Sequence, residues 1–306
     1  MPVNIIEFNV PSTDGIHILK GKLYMPDESI KPKGLFQIVH GMTEHIDRYD
    51  SFMRQIAESG FICGGFNNLG HKDTAEDGEL GFIAEKGGYK YLIDDVATFY
   101  AAVSNRYRVK KYILMGHSMG SFIARIFAEK YSGVLDGLII CGTGSNRLSA
   151  LMGAAIAKAL EKIKGAYYYS CMLDKIIFGA YNLGLDGDKK YAWLTNDTDI
   201  IEKYKNDKYC TFRFTVSALK DLLMLTYLSN RASWYKGIEK PLPILLISGD
   251  KDPVGAKGRG VKTIFKKLRL SGCNDVNIFL YKNCRHEILN DDCRQETTAD
   301  IIDFIN

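Results

Sequence analysis

Apolar segments of strand length alternate with amphipathic segments of helix length along most of this chain, and this alternation constrains the fold more than any other feature. The strand-like segments are, in order, IIEFNV, IHILKGKLYMP, GLFQIVHG, FICGGFN, KYILMG, LDGLIICGTG, LPILLISGD and VNIFLYKN. The first two flank a Ser12-Thr13-Asp14-Gly15 turn signal and are predicted to pair antiparallel. The later ones are separated by helical patterns, which predicts an α/β fold with a mostly parallel central sheet covered by helices on both faces.

The alternation stops between residues 145 and 240, where the sequence contains no convincing strand. In this stretch, the segment LSALMGAAIAKALEKIKG places one apolar face on a helix, formed by Leu148, Leu151, Met152, Ala155, Ile156, Ala159, Leu160 and Ile163. We therefore predict an α/β core from residues 1–144 and 241–306, interrupted by a helical insertion of residues 145–240. The insertion is either a domain that only packs on the core or a cap over the carboxyl ends of the strands, where open α/β sheets bind ligands. The motifs described below favour the cap.

Composition excludes several classes of function. The 306 residues are 46% hydrophobic and 25% charged, as in ordinary globular proteins. The net charge of +4 is small, and no basic block or stripe indicates a nucleic-acid partner. No apolar run reaches the length of a membrane span, and residues 1–15 lack the features of a signal peptide. The seven cysteines are irregularly spaced without a C-x-x-C pair, which suits a reducing compartment, so we expect a cytoplasmic protein.

A G-x-S-x-G motif, from Gly116 to Gly120, lies between a predicted strand and a predicted helix. This is the context of a nucleophile elbow, a tight strand-to-helix turn that exposes a serine hydroxyl. The two glycines relieve crowding in the turn, and the helix N-terminus favours negative charge beside Ser118. The alternative is a turn in which Ser118 serves only as an N-cap. The flanking strand and helix favour the nucleophile.

A serine nucleophile needs a histidine base and an acid that orients the histidine. His286 follows the last predicted strand and is therefore expected at the carboxyl edge of the sheet, although it could also be an ordinary surface residue. Asp250 and Asp252 follow the preceding strand, in a sequence that also suits a solvated turn. We predict Asp252 as the acid, because it lies deeper in the loop and Pro253 restrains its backbone. Asp250 is predicted to shape the turn.

The oxyanion of an acyl-transfer reaction requires backbone donors near the nucleophile. The N–H of Met119 is one predicted donor, and the N–H of Met42, after the turn that Gly41 permits, is the second. Residues predicted to shape this region or to bind substrate are His40, Gly41, Glu44, His45 and His117, with the His117 side chain pointing away from the serine hydroxyl. A zinc site formed by His40, Glu44 and His45 is a further interpretation of this segment. Because H-G-M-T-E-H differs from H-E-x-x-H and lies in a loop, no metal is predicted.

In order and spacing, these motifs resemble those of the α/β-hydrolase superfamily and, within it, the monoacylglycerol lipase and lysophospholipase-like serine hydrolases. H-G-M-T-E-H with Arg48-Tyr49 is similar to that group's H-G-x-x-E-H…R-Y segment, and G-H-S-M-G is identical to its usual elbow. G-D-K-D and R-H-E resemble its acid and histidine loops. The resemblance covers nearly the whole chain. It implies the α/β-hydrolase fold with a helical cap and a triad of Ser118, Asp252 and His286.

One stretch departs from that group, which has an Asp followed by Arg-Gly-His-Gly-x-Ser where this chain reads NNLGHKD. Asn67 replaces the acid, Leu69 replaces the arginine and Lys72 replaces the second glycine. Gly70 and His71 remain. Because the loop is expected near the oxyanion strand, we expect a change in local architecture or substrate preference.

The resemblance implies hydrolysis of carboxylic esters through an acyl-enzyme, without a cofactor. The apolar face of the insertion and its three consecutive tyrosines, Tyr167 to Tyr169, favour an acyl lipid as the small-molecule substrate. A small-ester esterase, a thioesterase and an aminopeptidase of the same fold are alternatives. A ligand-binding protein on a hydrolase scaffold that has lost its activity is a non-enzymatic alternative. The sequence leaves the oligomeric state open.

Overall fold

Ten strands are present in the computed structural model, which describes residues 3–306. They are β1 (Asn4–Glu7), β2 (Val10–Pro11), β3 (Ile18–Leu19), β4 (Gly21–Met25), β5 (Leu35–Val39), β6 (Ile62–Phe66), β7 (Tyr112–His117), β8 (Gly137–Cys141), β9 (Ile244–Gly249) and β10 (Val276–Tyr281). Eight of them form one sheet in the order β1-β4-β6-β5-β7-β8-β9-β10, and β2 pairs with β3 separately. The pairs from β6 to β10 are parallel, whereas β1 and β4 are antiparallel to their neighbours. The predicted mostly parallel sheet with an antiparallel start is confirmed.

Helices cover both faces of the sheet. The helices of the core are α1 (Asp50–Glu58), α2 (Gly88–Tyr107), α3 (Met119–Lys130), α9 (Arg259–Leu270) and α10 (Arg294–Ile305). Alternate side chains of β5 point to opposite faces, as strand geometry requires. Leu35 and Val39 pack in one cluster with α2, α3 and α9, while Phe36 and Ile38 pack in the other with α1 and α10. The central strands are therefore buried on both sides, which explains why their sequences are continuously apolar.

Between β8 and β9 the chain forms only helices and loops. We call residues 145–240 the cap segment; its helices are α4 (Arg147–Lys164), α5 (Cys171–Phe178), α6 (Thr198–Asn206), α7 (Val216–Ser229) and α8 (Ala232–Gly237). Most of α7 is buried, and α4 packs on it. Across residues 3–306, no helix has the combination of length and apolarity that a membrane crossing requires.

The apolar face predicted for α4 is not the face that packs. Its buried residues are small, namely Ala150, Gly153, Ala154 and Ala157. A Cβ on Gly153 would lie only 3.2 Å from the Leu223 side chain of α7, so the glycine permits close approach of the two helices. Large side chains of the opposite face, Leu148, Leu151, Met152, Ile156 and Ile163, are between 40% and 74% exposed. Small residues are buried in α4 because the separation of the two helices leaves no room for larger ones.

Candidate active site

Ser118 occupies a strained turn between β7 and α3. Its backbone has φ 53° and ψ −119°, a conformation that residues other than glycine rarely adopt. A Cβ on Gly116 would lie 2.2 Å from the carbonyl oxygen of Gly120, and a Cβ on Gly120 would lie 2.0 Å from that of Val39. Both glycines are therefore sterically required. The turn is the elbow predicted from the motif, and Ser118 lines the cavity described below.

Asp252 and His286 form a buried pair beside that cavity. His286 Nδ1 lies 3.0 Å from Asp252 Oδ1, which also accepts the Val254 N–H at 2.9 Å. The Ser248 hydroxyl donates to Oδ2 at 3.2 Å. Because the ionised carboxylate only accepts, Nδ1 carries the proton and Nε2 presents a lone pair. Nε2 is buried and has no hydrogen-bond partner among residues 3–306, so it is available to a hydroxyl that enters the cavity.

Two backbone N–H groups adjoin the serine. Met119 is the first residue of α3, so its N–H has no acceptor within the helix. The Met42 N–H donates to no acceptor in the described chain, and both methionines line the same cavity as Ser118. A Cβ on Gly41 would lie 2.9 Å from the Ser118 Cβ, so only glycine lets this loop approach the serine so closely.

Glu44 organises the loop that carries Met42. One of its carboxylate oxygens accepts hydrogen bonds from the Gly41 N–H, the Tyr49 hydroxyl at 3.0 Å and His117 Nδ1 at 2.8 Å. Arg48 donates to the other oxygen at 3.3 Å. Burial acts to raise the pKa of Glu44, but His117 and Arg48 together hold it well below its usual value. The ionised carboxylate thereby fixes the backbone next to the predicted oxyanion position.

His117 does not contact the serine hydroxyl. Its Nδ1 faces Glu44, and its Nε2 lies 3.3 Å from the carbonyl oxygen of His286. Burial acts to lower the pKa of His117, whereas the charge of Glu44 and the hydrogen bond to it raise the pKa above its ordinary value. A protonated His117 donates from both nitrogens, so it links the oxyanion loop to the histidine loop.

His40 and His71 are buried neutral imidazoles that hold the same region together. The Asn68 N–H donates to His40 Nε2 at 2.9 Å, and the Thr43 N–H donates to His71 Nε2 at 3.3 Å. Burial lowers the pKa of His40 to about 4 and that of His71 to about 3. The imidazoles therefore accept hydrogen bonds from backbone groups at neutral pH. His40, Glu44 and His45 point to different partners and do not share a centre.

The stretch that departs from the related hydrolases forms an ordered loop beside these histidines. Asn67 Oδ1 accepts the Ile46 N–H at 2.9 Å, and its amide donates to Asp73 at 2.5 Å. Leu69 is fully buried, and Lys72 pairs with Asp47. The asparagine thus supplies an acceptor for the backbone near the oxyanion loop without adding a charge.

A cavity of about 750 Å³ brings these groups to one space. Its walls include Ser118, Met42, Met119 and His286 from the core. The cap segment contributes mainly apolar side chains, among them Ala150, Ile177, Phe178, Trp193, Leu222 and Leu223. The volume lies within the range of pockets that enclose drug-sized ligands. Ser118, an unpartnered histidine nitrogen and two N–H groups without an acceptor therefore share one largely apolar space.

The family model described as "serine aminopeptidase, S33" matches residues 30–293 of this chain. The chain belongs to this family of α/β-hydrolases. This chain is 31% identical to a thermostable carboxyl esterase from Bacillus coagulans, crystallised with glycerol, with a TM-score of 0.92 over 99% of this chain and 98% of that one. It is 21% identical to a monoacylglycerol lipase of Mycolicibacterium smegmatis over 98% of this chain and 96% of that protein. Saccharomyces cerevisiae monoglyceride lipase shares the fold at 14% identity, with a TM-score of 0.76 over 100% of this chain and 96% of that one.

The histidine loop of this S33 hydrolase is joined to the cap segment by its backbone. The His286 N–H donates to the Trp193 carbonyl at 3.3 Å, and the Glu287 N–H donates to the Leu194 carbonyl at 2.7 Å. The Trp193 ring also lies against the imidazole of His286, with 4.9 Å between ring centroids. The cap segment therefore helps to position His286. No sequence motif marks residues 193 and 194, so sequence reasoning missed them.

Two arginines of the hydrolase extend this connection. Arg285 donates to the carbonyl oxygens of Ala192 at 2.7 Å, Thr195 at 3.2 Å and Asp186 at 3.1 Å. Arg48 forms a bidentate pair with Glu287 at 2.6 and 2.7 Å. The sequence resemblance marked Arg48 and the R-H-E segment but not what they bind. These acceptors are distant in sequence, so only the folded structure shows which groups the two arginines bind.

The oxyanion loop contacts the cap segment of the hydrolase as well. The Tyr204 hydroxyl of α6 lies 3.0 Å from the Thr43 carbonyl and 2.9 Å from the Thr43 hydroxyl. His45 Nε2 lies 2.8 Å from Asp207 Oδ2, just after α6. His45 thus shapes the contact between core and cap segment and does not face Ser118.

Proposed function

We propose that this protein hydrolyses carboxylic esters through an acyl-enzyme on Ser118, with residues 145–240 acting as a cap over the reacting groups. The observation that carries the proposal is the convergence of Ser118, the Asp252–His286 pair and the Met42 and Met119 N–H groups on one cavity. A nucleophile, an oriented base and preorganised donors are the parts that acyl transfer requires.

In the proposed reaction, His286 Nε2 takes the hydroxyl proton as Ser118 attacks the ester carbonyl. The N–H groups of Met42 and Met119 stabilise the oxyanion of the tetrahedral intermediate. His286 then gives the proton to the leaving alcohol and activates a water molecule that releases the acid. Asp252 stabilises the imidazolium in both steps. Because His286 Nε2 has no hydrogen-bond partner among the described residues, small movements that bring it to the Ser118 hydroxyl are expected as substrate binds.

The proposed substrate is a monoacylglycerol or a similar ester of a medium or long acyl chain. The apolar side chains of α7, such as Leu222 and Leu223, line the cavity and suit an acyl chain. Polar groups such as Thr43 and Asn146 also line it and suit an alcohol portion. The M. smegmatis relative, which matches 98% of this chain at 21% identity, is a monoacylglycerol lipase, and this supports such an ester.

Aminopeptidase activity, which the family description suggests, is less well supported by the cavity. A substrate with a free α-amine would need an unpaired carboxylate as its partner. The carboxylates among the cavity-lining residues are Glu44, Asp174 and Glu287. Arg48 pairs with the two glutamates, and Arg213 lies 3.9 Å from Asp174. All three carboxylates therefore already face a cation.

Covalent labelling tests the nucleophile. A fluorophosphonate should modify Ser118, as identified by mass spectrometry of the peptide, and Ser118→Ala should abolish both labelling and esterase activity. Ser149→Ala is a matched control, because Ser149 also lines the cavity but lies in the exposed first turn of α4. Labelling and activity that persist in Ser118→Ala would contradict the proposed mechanism.

A chain-length series tests the substrate class. We expect kcat/KM for p-nitrophenyl esters to rise from acetate toward medium or long chains, and 1-monoacylglycerols to release free fatty acid. A maximum at acetate, with no turnover of monoacylglycerol, would identify a small-ester esterase instead. Hydrolysis of amino-acid p-nitroanilides at a higher kcat/KM than the esters would favour an aminopeptidase.

A further inference from the structure

Three potential metal ligands meet where the cap segment contacts the oxyanion loop. They are His45, from the loop after β5, and Asp207 and Cys210, which follow α6. One ligand atom from each residue lies within 4.8 Å of the others. His45 Nε2 and Asp207 Oδ2 are the nearest pair at 2.8 Å. The catalytic proposal uses none of these side chains as a reacting group.

The backbone after α6 brings the two cap ligands together. Asp207 Oδ1 accepts the Tyr209 N–H at 2.8 Å, and the Cys210 N–H donates to the Asp207 carbonyl at 2.9 Å. These bonds fold the D-K-Y-C sequence into a tight turn. Asp207 Oδ2 remains directed at His45, and the thiol of Cys210 lies on the same side of the turn.

We propose that His45, Asp207 and Cys210 bind a zinc ion, with water as the fourth ligand. Imidazole nitrogen, carboxylate oxygen and thiolate sulfur are all ligands that zinc accepts in tetrahedral sites. A thiolate combined with an imidazole favours zinc over the hard cations magnesium and calcium, which prefer oxygen ligands. Tetrahedral ligands bound about 2.0–2.3 Å from zinc lie roughly 3.3–3.7 Å from one another. The 2.8 Å pair would therefore open slightly around the ion, and atoms that are up to 4.8 Å apart would approach each other.

The charges of the three ligands suit such an ion. A neutral His45 imidazole can coordinate a metal ion through Nε2. The Cys210 thiol would release its proton to solvent as the sulfur bonds to the metal. The thiolate and the Asp207 carboxylate would then balance the charge of Zn²⁺. Lys72 Nζ lies 3.5 Å from His45 Nδ1 and pairs with Asp47, whose Oδ2 lies 3.9 Å from the same nitrogen.

The cluster is accessible and bridges two parts of the fold. Cys210 lines the cavity, which provides a path for the ion, and Asp207 is partly exposed. His45 lies next to Glu44, which holds the loop that carries Met42. A bound ion would therefore tie residues 207–210 of the cap segment to the oxyanion loop.

Cobalt binding to the chelator-treated full-length protein tests the site, because Co²⁺ reports a thiolate ligand through a sulfur-to-metal charge-transfer band. We expect one Co²⁺ per chain with this band, and its loss when Zn²⁺ is added. Cys210→Ser should remove the band, whereas Cys171→Ser, at an exposed cysteine outside the cluster, should retain it. The proposal is overturned if the wild-type protein lacks the band, if Cys210→Ser keeps it, or if Cys171→Ser loses it.

Zinc affinity measured by competition with a chromophoric chelator gives a second readout that does not depend on hydrolysis. Asp207→Asn and His45→Gln should each weaken binding by at least about ten-fold, since loss of outer-shell partners alone has that effect. Asp199→Asn, in the exposed first turn of α6, is the matched control and should bind as the wild type does. Zn²⁺ should raise the melting temperature of the wild type but not of Asp207→Asn. Equal affinities in all variants would refute the assignment.

Discussion

Replacing Asp252 by Asn would remove the negative charge beside His286 while leaving an oxygen in the position of Oδ1. The Val254 N–H donates to that oxygen at 2.9 Å, so it favours the amide oxygen there and disfavours the amide nitrogen. On the other side, the Ser248 hydroxyl can donate to the Gly249 carbonyl, 3.3 Å away, and accept from the new NH2 group. His286 should therefore keep its proton on Nδ1 and its ring orientation. The substitution is expected to remove charge alone.

The size of the effect follows from the geometry of the pair. His286 Nδ1 and Asp252 Oδ1 are 3.0 Å apart. With the two charges centred about 4 Å apart and an effective dielectric constant near 20, their attraction in the transition state is about 4 kcal/mol. Losing it should lower kcat/KM by about a thousand-fold. If the amide were reversed, the wrong tautomer would form, and in a serine protease triad such a substitution lowers kcat by about ten thousand-fold.

Steady-state hydrolysis of a p-nitrophenyl ester by wild type, Asp252→Asn and Asp250→Asn measures this effect. Asp250 lies in the same loop and accepts the Asn283 N–H at 2.8 Å at the surface, so its replacement should leave kcat/KM close to that of the wild type. Thermal denaturation of the three proteins would verify that each is folded. The reasoning is refuted if Asp252→Asn is as active as Asp250→Asn.

Three further predictions concern stability and coupling. Arg285→Ala should lower the free energy of unfolding by about 2 kcal/mol, because three carbonyl oxygens lose a charged donor. The control Arg294→Ala, at an exposed arginine, should lower it by less than about 1 kcal/mol. Equal effects of the two substitutions in urea denaturation would contradict this prediction. Glu44→Gln should reduce kcat and lower the melting temperature, because the buried His117 and Arg48 lose a charged partner. If kcat and the melting temperature were both unchanged, Glu44 would not organise the oxyanion loop. Burial lowers the pKa of His40 from 6.5 to about 4, so the unfolded chain binds more protons than the folded chain between these pH values. The free energy of unfolding should therefore fall as the pH falls through this window, by roughly 3 kcal/mol from His40 alone. A profile of unfolding free energy that is flat from pH 7 to 4.5 would contradict this prediction.

The sheet and its order of elements could be predicted because each depends on local patterns. Continuous apolar runs identify strands buried on both faces, and the intervening helical periods force parallel connections. The G-x-S-x-G elbow could be predicted for a similar reason. Gly116 and Gly120 have steric roles that depend on the turn itself, with carbonyl oxygens within 2.2 Å of any added Cβ. The pairing of His286 with Asp252 followed from two loops that lie at the same edge of the sheet.

The packing of the cap segment could not be predicted, because periodicity gives the faces of a helix but not their partners. In α4 the large apolar residues form the more hydrophobic stripe, yet the stripe of Ala150, Gly153, Ala154 and Ala157 is buried. That choice depends on how closely α7 approaches, which is a property of the whole segment. The contacts of Arg285 and His45 with the cap segment join residues at least 90 positions apart, and no local pattern carries such information.

The backbone hydrogen bonds that join the histidine loop to Trp193 and Leu194 affect how the caps and cores of related hydrolases can be exchanged. A foreign cap placed on this core would have to present backbone carbonyl groups at the same positions to hold His286, the proposed proton acceptor, and Glu287. Residues 186–195 and 284–291 therefore form a single exchangeable cassette, although about 90 residues separate them along the chain. Exchange of acyl specificity between relatives should succeed when both pieces travel together.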